Sequence, residues 1–186
     1  MYAQETLKKY LDDLAAKLPA PGGGSAAALS ASLGAALLSM VLNFTVGKPK
    51  YAQYEEELKT LLRKSEELRQ EFLKLVDLDV EAYKSKDVRR ALEVPLSLCR
   101  LAEAAALLCP ALVEKGNPNL ISDVAVAAVL LESAFVSGYY NVLINLKMLN
   151  DDSLSREIQQ ELGQKDKIIK KIRQDTEEKV GKIIRG

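Results

Sequence analysis

The chain has 186 residues, 48% hydrophobic and 28% charged, a length and balance that suit one globular domain over 1–186. Lys+Arg and Asp+Glu number 26 each, so no basic excess points to nucleic acid and no polybasic cluster to a membrane surface. Histidine is absent, which removes the commonest metal ligand and the usual general base and leaves acid–base chemistry to a carboxylate, Lys, Tyr, Cys or the substrate.

Ala3 to Leu18 reads as a first helix on Leu7, Tyr10, Leu11, Leu14 and Leu18, stopped by Pro19 and Pro21. Gly22-Gly23-Gly24 follows, then Ser25 before Ala26-Ala27-Ala28. Ser25 is the expected N-cap of a second helix running to Val46. Bare backbone leading into a helix start presents free N–H groups and the positive end of the helix dipole, which suits a carboxylate, a phosphate or a polarised ligand oxygen. A flexible turn is the plain alternative. Gly47-Lys48-Pro49-Lys50 breaks the chain, and Tyr51 to about Lys84 reads as a long third helix. A fourth spans about Val88 to Leu112, with Pro95 expected to kink it or split off its first turn. Gly116-Asn117-Pro118-Asn119 is turn chemistry, and the fifth helix runs from near Ser122 to near Met148. Asp151-Asp152-Ser153 opens the last, Leu154 to Ile184, weakened by Gly163 and Gly181.

No segment alternates as a strand does, and no internal repeat is present. The expected fold is an all-α antiparallel up-and-down bundle of five to six helices. Ala26 to Val46 carries no charge, and Val124 to Leu146 carries only Glu132. Such runs have the length of a membrane span. Ser30, Ser32, Ser39 and Asn43 in one, and Ser133, Ser137, Asn141 and Asn145 in the other, favour core helices instead. Two nearly uncharged helices exceed what one small bundle hides, so a symmetric homodimer is expected and no membrane partner. Cys99 and Cys109 would lie ~15 Å apart along one helix, too far to bridge. They read as free thiols in a reducing cytoplasm, in keeping with an N-terminus lacking a signal peptide pattern.

Three features depart from a plain core. Asp79 shares the apolar stripe of the third helix with Phe72, Val76 and Tyr83. An inward Asp is either paired or has a raised pKa suited to general acid–base work. Asp77 lies about 200° round the helix and is less clearly inward. On the fifth helix Asp123, Ala127, Leu130, Ala134, Ser137, Asn141 and Asn145 share one face. Asp123 there is either an N-terminal charge on the dipole or a site acid, and the two Asn are either ligand groups or interhelical hydrogen bonds. On the second helix Ser25, Leu29, Ser32, Ala36, Ser39 and Asn43 form a matching line that reads first as close packing. Together, inward carboxylates, amides and the glycine stretch could enclose a flat, hydrogen-bonding ligand. Lys48 and Lys50 would meet its anionic end, and Tyr51, Tyr139 and Tyr140 would supply aromatic surface. No phosphate loop, zinc pattern, nucleophile elbow or dinucleotide fingerprint occurs.

These stretches resemble a known family. The likeness is carried by Pro21-Gly22-Gly23-Gly24-Ser25-Ala26-Ala27-Ala28 with Leu33 to Val41, by Leu75 to Tyr83, by Val94-Pro95-Leu96, by Ser122 to Ala128 and by Asn141 to Leu146. In that order they resemble the cyclodeaminase half of formiminotransferase-cyclodeaminase and the related single-domain methenyltetrahydrofolate cyclohydrolases. The segment Tyr83 to Val94 looks shorter than in the animal enzymes. The resemblance implies a dimeric helical bundle acting on folate one-carbon units without metal or bound cofactor. It sets Asp79 at the family's proposed catalytic carboxylate and Asp123 at a second acidic position lining the same cleft. It turns the glycine stretch toward the folate. The expected binding set is Gly22, Gly23, Gly24, Ser25, Asn43, Lys48, Lys50, Asn141 and Asn145. The implied reaction is cyclodeamination of 5-formiminotetrahydrofolate to 5,10-methenyltetrahydrofolate and ammonia. Hydrolysis of methenyltetrahydrofolate to 10-formyltetrahydrofolate is the alternative within the family, and a non-catalytic folate-binding or structural helical dimer is the alternative outside it.

Overall fold

A computed structural model describes all residues, 1–186. It is all-helical: α1 (Leu7–Ala15), α2 (Gly23–Asn43), α3 (Glu55–Ser85), α4 (Val88–Ala106), α5 (Cys109–Lys115), α6 (Ile121–Leu149) and α7 (Asp152–Arg185). Short 3-10 turns cover Tyr2–Gln4, Pro49–Tyr54 and Pro118–Leu120. The ends are cut where the local chemistry dictates. Thr6, Asp87 and Asp151 accept backbone N–H bonds as the caps of α1, α4 and α7. Lys86 and Asn150 close α3 and α6 in the left-handed region. Gly163 and Gly181 do not interrupt α7, whose buried Ile158, Leu162, Ile169, Ile172 and Val180 hold it to the bundle.

Several boundaries differ from expectation. α1 covers only Leu7–Ala15 of the expected Ala3–Leu18, α2 ends at Asn43 rather than Val46, and α3 starts at Glu55 rather than Tyr51, the preceding residues forming a 3-10 turn. Ser25 is not an N-cap: Gly22 caps α2, and Ser25 sits in the first turn with its hydroxyl turned to α3. Pro95 does not break α4; the chain breaks at Leu107 and Leu108, just before Pro110 in the first turn of α5. A proline inside a helix leaves the carbonyl four residues earlier without its partner, here Ala91. Asn145 on α6 supplies the replacement, donating Nδ2–H to the Ala91 carbonyl at 2.9 Å. The helix therefore continues through Pro95.

The stretches Gly23–Asn43, Val88–Lys115 and Pro118–Leu149 are long and apolar enough to cross a membrane by length and composition. Their inner sides pack around one cluster of 36 buried residues. Small residues let these helices close up. A Cβ on Gly34 would stand 2.9 Å from Leu131 Cγ, and one on Gly138 would stand 3.1 Å from Cys99 Sγ. The serine line of α2 ties it to α3: Ser25 Oγ donates to the Val76 carbonyl, Ser32 Oγ to the Arg69 carbonyl, and Ser39 Oγ pairs with Ser65 Oγ. Burial pushes the free Cys99 and Cys109 thiols up to about 12, which makes them packing groups rather than nucleophiles.

Candidate functional site

The start of α2 meets the end of α3, the start of α4 and the end of α6, and a cleft of about 850 Å³ opens between them. Gly22, Gly23, Gly24, Asp79, Asn141 and Asn145 line it. The chain therefore brings together the glycine stretch, one carboxylate and the two amides.

Asp79 is half-buried, and its Oδ2 accepts the Ser25 N–H at 2.9 Å. Burial raises its pKa, and the Ser25 N–H partly offsets the rise. No cation pairs with it, so the carboxyl is available to carry a proton. The closeness of α2 to this group explains Gly24. A Cβ there would stand 2.1 Å from Asp79 Oδ1, so any side chain would evict the carboxylate. Ser25 itself lies behind the cleft wall. Its hydroxyl accepts from the Tyr10 hydroxyl at 3.1 Å and donates to the Val76 carbonyl at 2.9 Å, fixing the first turn of α2 and with it the N–H that Asp79 receives.

On the opposite wall, Asn141 Nδ2 lies 3.6 Å from the position of a Cβ on Gly23 and donates to the Ser137 carbonyl at 2.9 Å. Asn145 lines the same wall one turn on, its amide engaged with the Ala91 and Asn141 carbonyls. Asn145 is thus an interhelical hydrogen bond as well as a cleft residue.

Four expected residues lie elsewhere in the chain. Asn43 is exposed at the other end of α2, ~30 Å along the helix from Gly23. Lys48 and Lys50 are exposed beyond it, over the rings of Phe44 and Tyr51. Asp123 is half-buried in the first turn of α6, ~27 Å along that helix from Asn141, where its charge complements the dipole. Within one chain Asp123 does not line the cleft, because a 29-residue helix puts its first turn at the opposite end of the bundle. Asp77 corrects the reading in the other direction. It is 5% exposed, and its carboxylate accepts the N–H groups of Tyr2 and Ala3, anchoring the N-terminal turn.

The cleft has a rim that the sequence reading did not identify. Tyr83, rather than Tyr51, Tyr139 or Tyr140, is its aromatic residue. Tyr51 is buried at the far end, Tyr139 packs on Phe135, and Tyr140 is 70% exposed. The cations at the rim are Lys84 and Lys86, and Ile144 and Met148 add apolar wall. The signal for Tyr83 and Lys84 was present: they follow Asp79 by four and five residues, within reach of the same helix end.

A family model described as formiminotransferase-cyclodeaminase matches residues 6–87 and 84–164. A methenyltetrahydrofolate cyclohydrolase of Methylorubrum extorquens is 38% identical, over 87% of this chain and 89% of its own length. A formimidoyltransferase-cyclodeaminase of Rattus norvegicus is 34% identical over 79% of this chain, which spans only 31% of that longer protein. The crystal structure of a formiminotetrahydrofolate cyclodeaminase from Thermotoga maritima superposes with a TM-score of 0.93 at 29% identity, covering 99% of this chain and 100% of that one. A match that runs through the glycine stretch, Asp79 and the amide-bearing end of α6 includes the walls of the cleft as well as the fold, and the chain belongs to the formiminotransferase-cyclodeaminase family.

Proposed function

We propose that this chain is a folate one-carbon enzyme, a formimidoyltetrahydrofolate cyclodeaminase, with Asp79 as the group that moves the proton. The observation that carries the reading is a half-buried carboxyl with a raised pKa, unpaired with any cation, at the floor of a cleft edged by bare glycine backbone. In the protonated formimino substrate, N10 attacks the carbon on N5 and closes a five-membered ring. Asp79 takes the proton from N10 and returns it to the exocyclic nitrogen. The C–N bond then breaks, ammonia leaves, and the N5 lone pair completes the methenyl cation. The nucleophile is already part of the substrate, so positioning supplies much of the barrier lowering. One carboxyl serves as base and then as acid because its pKa stands nearer neutrality than that of an exposed Asp. Every proton moves between the substrate and Asp79, so the scheme uses no metal or bound cofactor. Tyr83, Ile144 and Met148 offer surface to the pterin and aryl rings, and Lys84 and Lys86 suit the glutamate tail.

A second reading, methenyltetrahydrofolate cyclohydrolase, is favoured by the 38% identical relative of similar length. There a water attacks the same carbon, Asp79 takes one of its protons and passes it to N5 as the N5–C bond opens, the second proton leaves to solvent as the oxygen becomes the formyl carbonyl, and 10-formyltetrahydrofolate forms. Two assays separate the readings. Purified protein given 5-formiminotetrahydrofolate is followed for methenyl product and ammonia, and methenyltetrahydrofolate hydrolysis is timed with and without protein. Activity in the first selects the cyclodeaminase and activity in the second alone the cyclohydrolase. Silence in both with intact folate binding leaves a non-catalytic binder.

The expected homodimer is proposed to form on the outer face of α2 and α6. Ala26, Leu29, Leu33 and Leu37 continue across the Ser30–Leu130 seam into Val126 and Val129, with Leu33 53% exposed. Glu132, the one charge in this part of α6, is turned away onto Arg173 of α7. Two helices ~31 Å long and ~10 Å wide give a footprint on the order of 600 Å², near the size of a specific interface. Leu33→Glu should convert a sedimenting dimer to monomer. A two-fold axis crossing α2 and α6 carries each chain's far end to the partner's cleft, the arrangement in which Asp123 serves as a second site acid. Mixing Asp79→Asn with Asp123→Asn chains tests this. Mixed dimers regain one intact site if Asp123 acts across the interface and stay inactive if it acts within its own chain.

A further inference from the structure

Asn145 presents only one kind of hydrogen-bonding atom to the cleft. Its Nδ2 has two hydrogens, and both are committed: one to the Ala91 carbonyl at 2.9 Å, the other to the Asn141 carbonyl at 2.9 Å. Two carbonyl acceptors on the same nitrogen fix which end of the amide is nitrogen, since an oxygen in that place would face two oxygens. The lock originates in Pro95. Without an N–H at position 95 the Ala91 carbonyl is free to hold the amide. Asn145 Oδ1 receives no hydrogen bond from the chain, while Asn145 and Ala91 both line the cleft. The neighbouring Asn141 is less constrained: its amide makes one bond, to Ser137, and keeps a hydrogen free.

We propose that Asn145 is a specificity residue, a proline-locked acceptor that selects the donor edge of the pterin. This rests on the folate reading above. The reaction at N5 places that part of the ring beside Asp79. The 2-amino group and N3–H lie on the opposite edge of the pterin, and the asparagine wall lies across the cleft from Asp79, beyond the Gly23–Gly24 pair. A fixed carbonyl oxygen there accepts an N–H of the 2-amino group and gives nothing to a ring edge that offers only acceptors. An asparagine free to flip would accept both kinds, so the lock converts an ambivalent amide into a selective one.

The test separates the structural bond from the ligand bond. Pro95→Ala returns an N–H to the Ala91 carbonyl, so in that background Asn145 is no longer needed to satisfy α4. The double variant Pro95→Ala/Asn145→Ala should keep the melting temperature of Pro95→Ala within a few degrees. It should bind tetrahydrofolate about tenfold or more weakly by titration calorimetry, the scale of one lost specific hydrogen bond. Wild type should bind a 2-desamino tetrahydrofolate about tenfold more weakly than tetrahydrofolate, and the double variant should bind the two alike. Equal discrimination by both proteins, or tetrahydrofolate affinity within twofold of wild type in the double variant, overturns the proposal. If the wild type binds no tetrahydrofolate at all, the folate reading fails first, and that result is visible before any variant is made.

Discussion

The two ends of the α2/α6 pair carry similar side chains and do different things. At one end stand Asp79, Gly24, Asn141 and the rim lysines Lys84 and Lys86; at the other stand Asp123, Gly47, Asn43, Lys48 and Lys50. The first set encloses a cleft. In the second, Asn43 and the two lysines are exposed and the acid sits on a helix dipole. What separates Asp79 from Asp123 is environment. A carboxyl pressed against α2 loses water and holds its proton more tightly, whereas Asp123 stands in the first turn of α6, at the positive end of its dipole. Residue type nominates a site, and within one chain the packing of helix ends decides which acid lines the cleft.

The sharpest way to break this comparison is Asp79→Asn, which keeps shape and removes proton transfer. Turnover should fall ~10²-fold or more with folate binding retained, and a near-normal rate would move the proton work elsewhere. Gly24→Ala should come next. Its Cβ needs the space of the Asp79 carboxylate, so activity should fall ~10- to 100-fold while far-UV helicity is kept. Lys84→Ala should raise the KM for a polyglutamylated substrate about three- to fivefold and leave kcat unchanged, as suits an exposed ionic contact. The far-end glycine should behave differently from Gly24. Gly47 has φ +78° and open space around it, so Gly47→Ala should cost roughly 1–2 kcal/mol in stability through the left-handed backbone and leave kcat alone. The smallest effect is on stability against pH. An acid whose folded pKa is raised contributes stability that is complete below its unfolded value, ~3.9 for Asp, and is lost as pH rises through the folded value. Asp79→Asn should therefore raise the melting temperature at pH 7 and give no gain below about pH 4.

Periodicity made much of the fold readable. The stripe Phe72, Val76, Asp79 and Tyr83 placed one carboxyl inward, and the charge-free run after Gly24 announced a core helix. The three glycines read as bare backbone at a helix start or as a flexible turn, and Gly24 proved to be the one whose side chain would collide with the site. The proline signals were less readable. Pro95 was expected to kink α4 or split off its first turn, yet the helix runs from Val88 through it without a break, a side chain from α6 taking the bond it forfeits. That compensation comes from 54 residues away, and no local rule contains it.

The amino-acid order determined that this chain forms long helices, which stripe turns inward on the core helices though not on α1, whose Leu7 and Leu11 are exposed, and that an acid, an amide pair and bare backbone are available for chemistry. These follow from local sterics and the 3.6-residue period, which depend on near neighbours only. Tertiary structure decided which of those groups share a cleft. That depends on which helix ends pack together, and a helix ~30 Å long separates groups that look equivalent on its face. It also decided that Asn145 and Pro95 would serve each other, because an orphaned carbonyl is satisfied by whatever donor the packing of helices brings within reach.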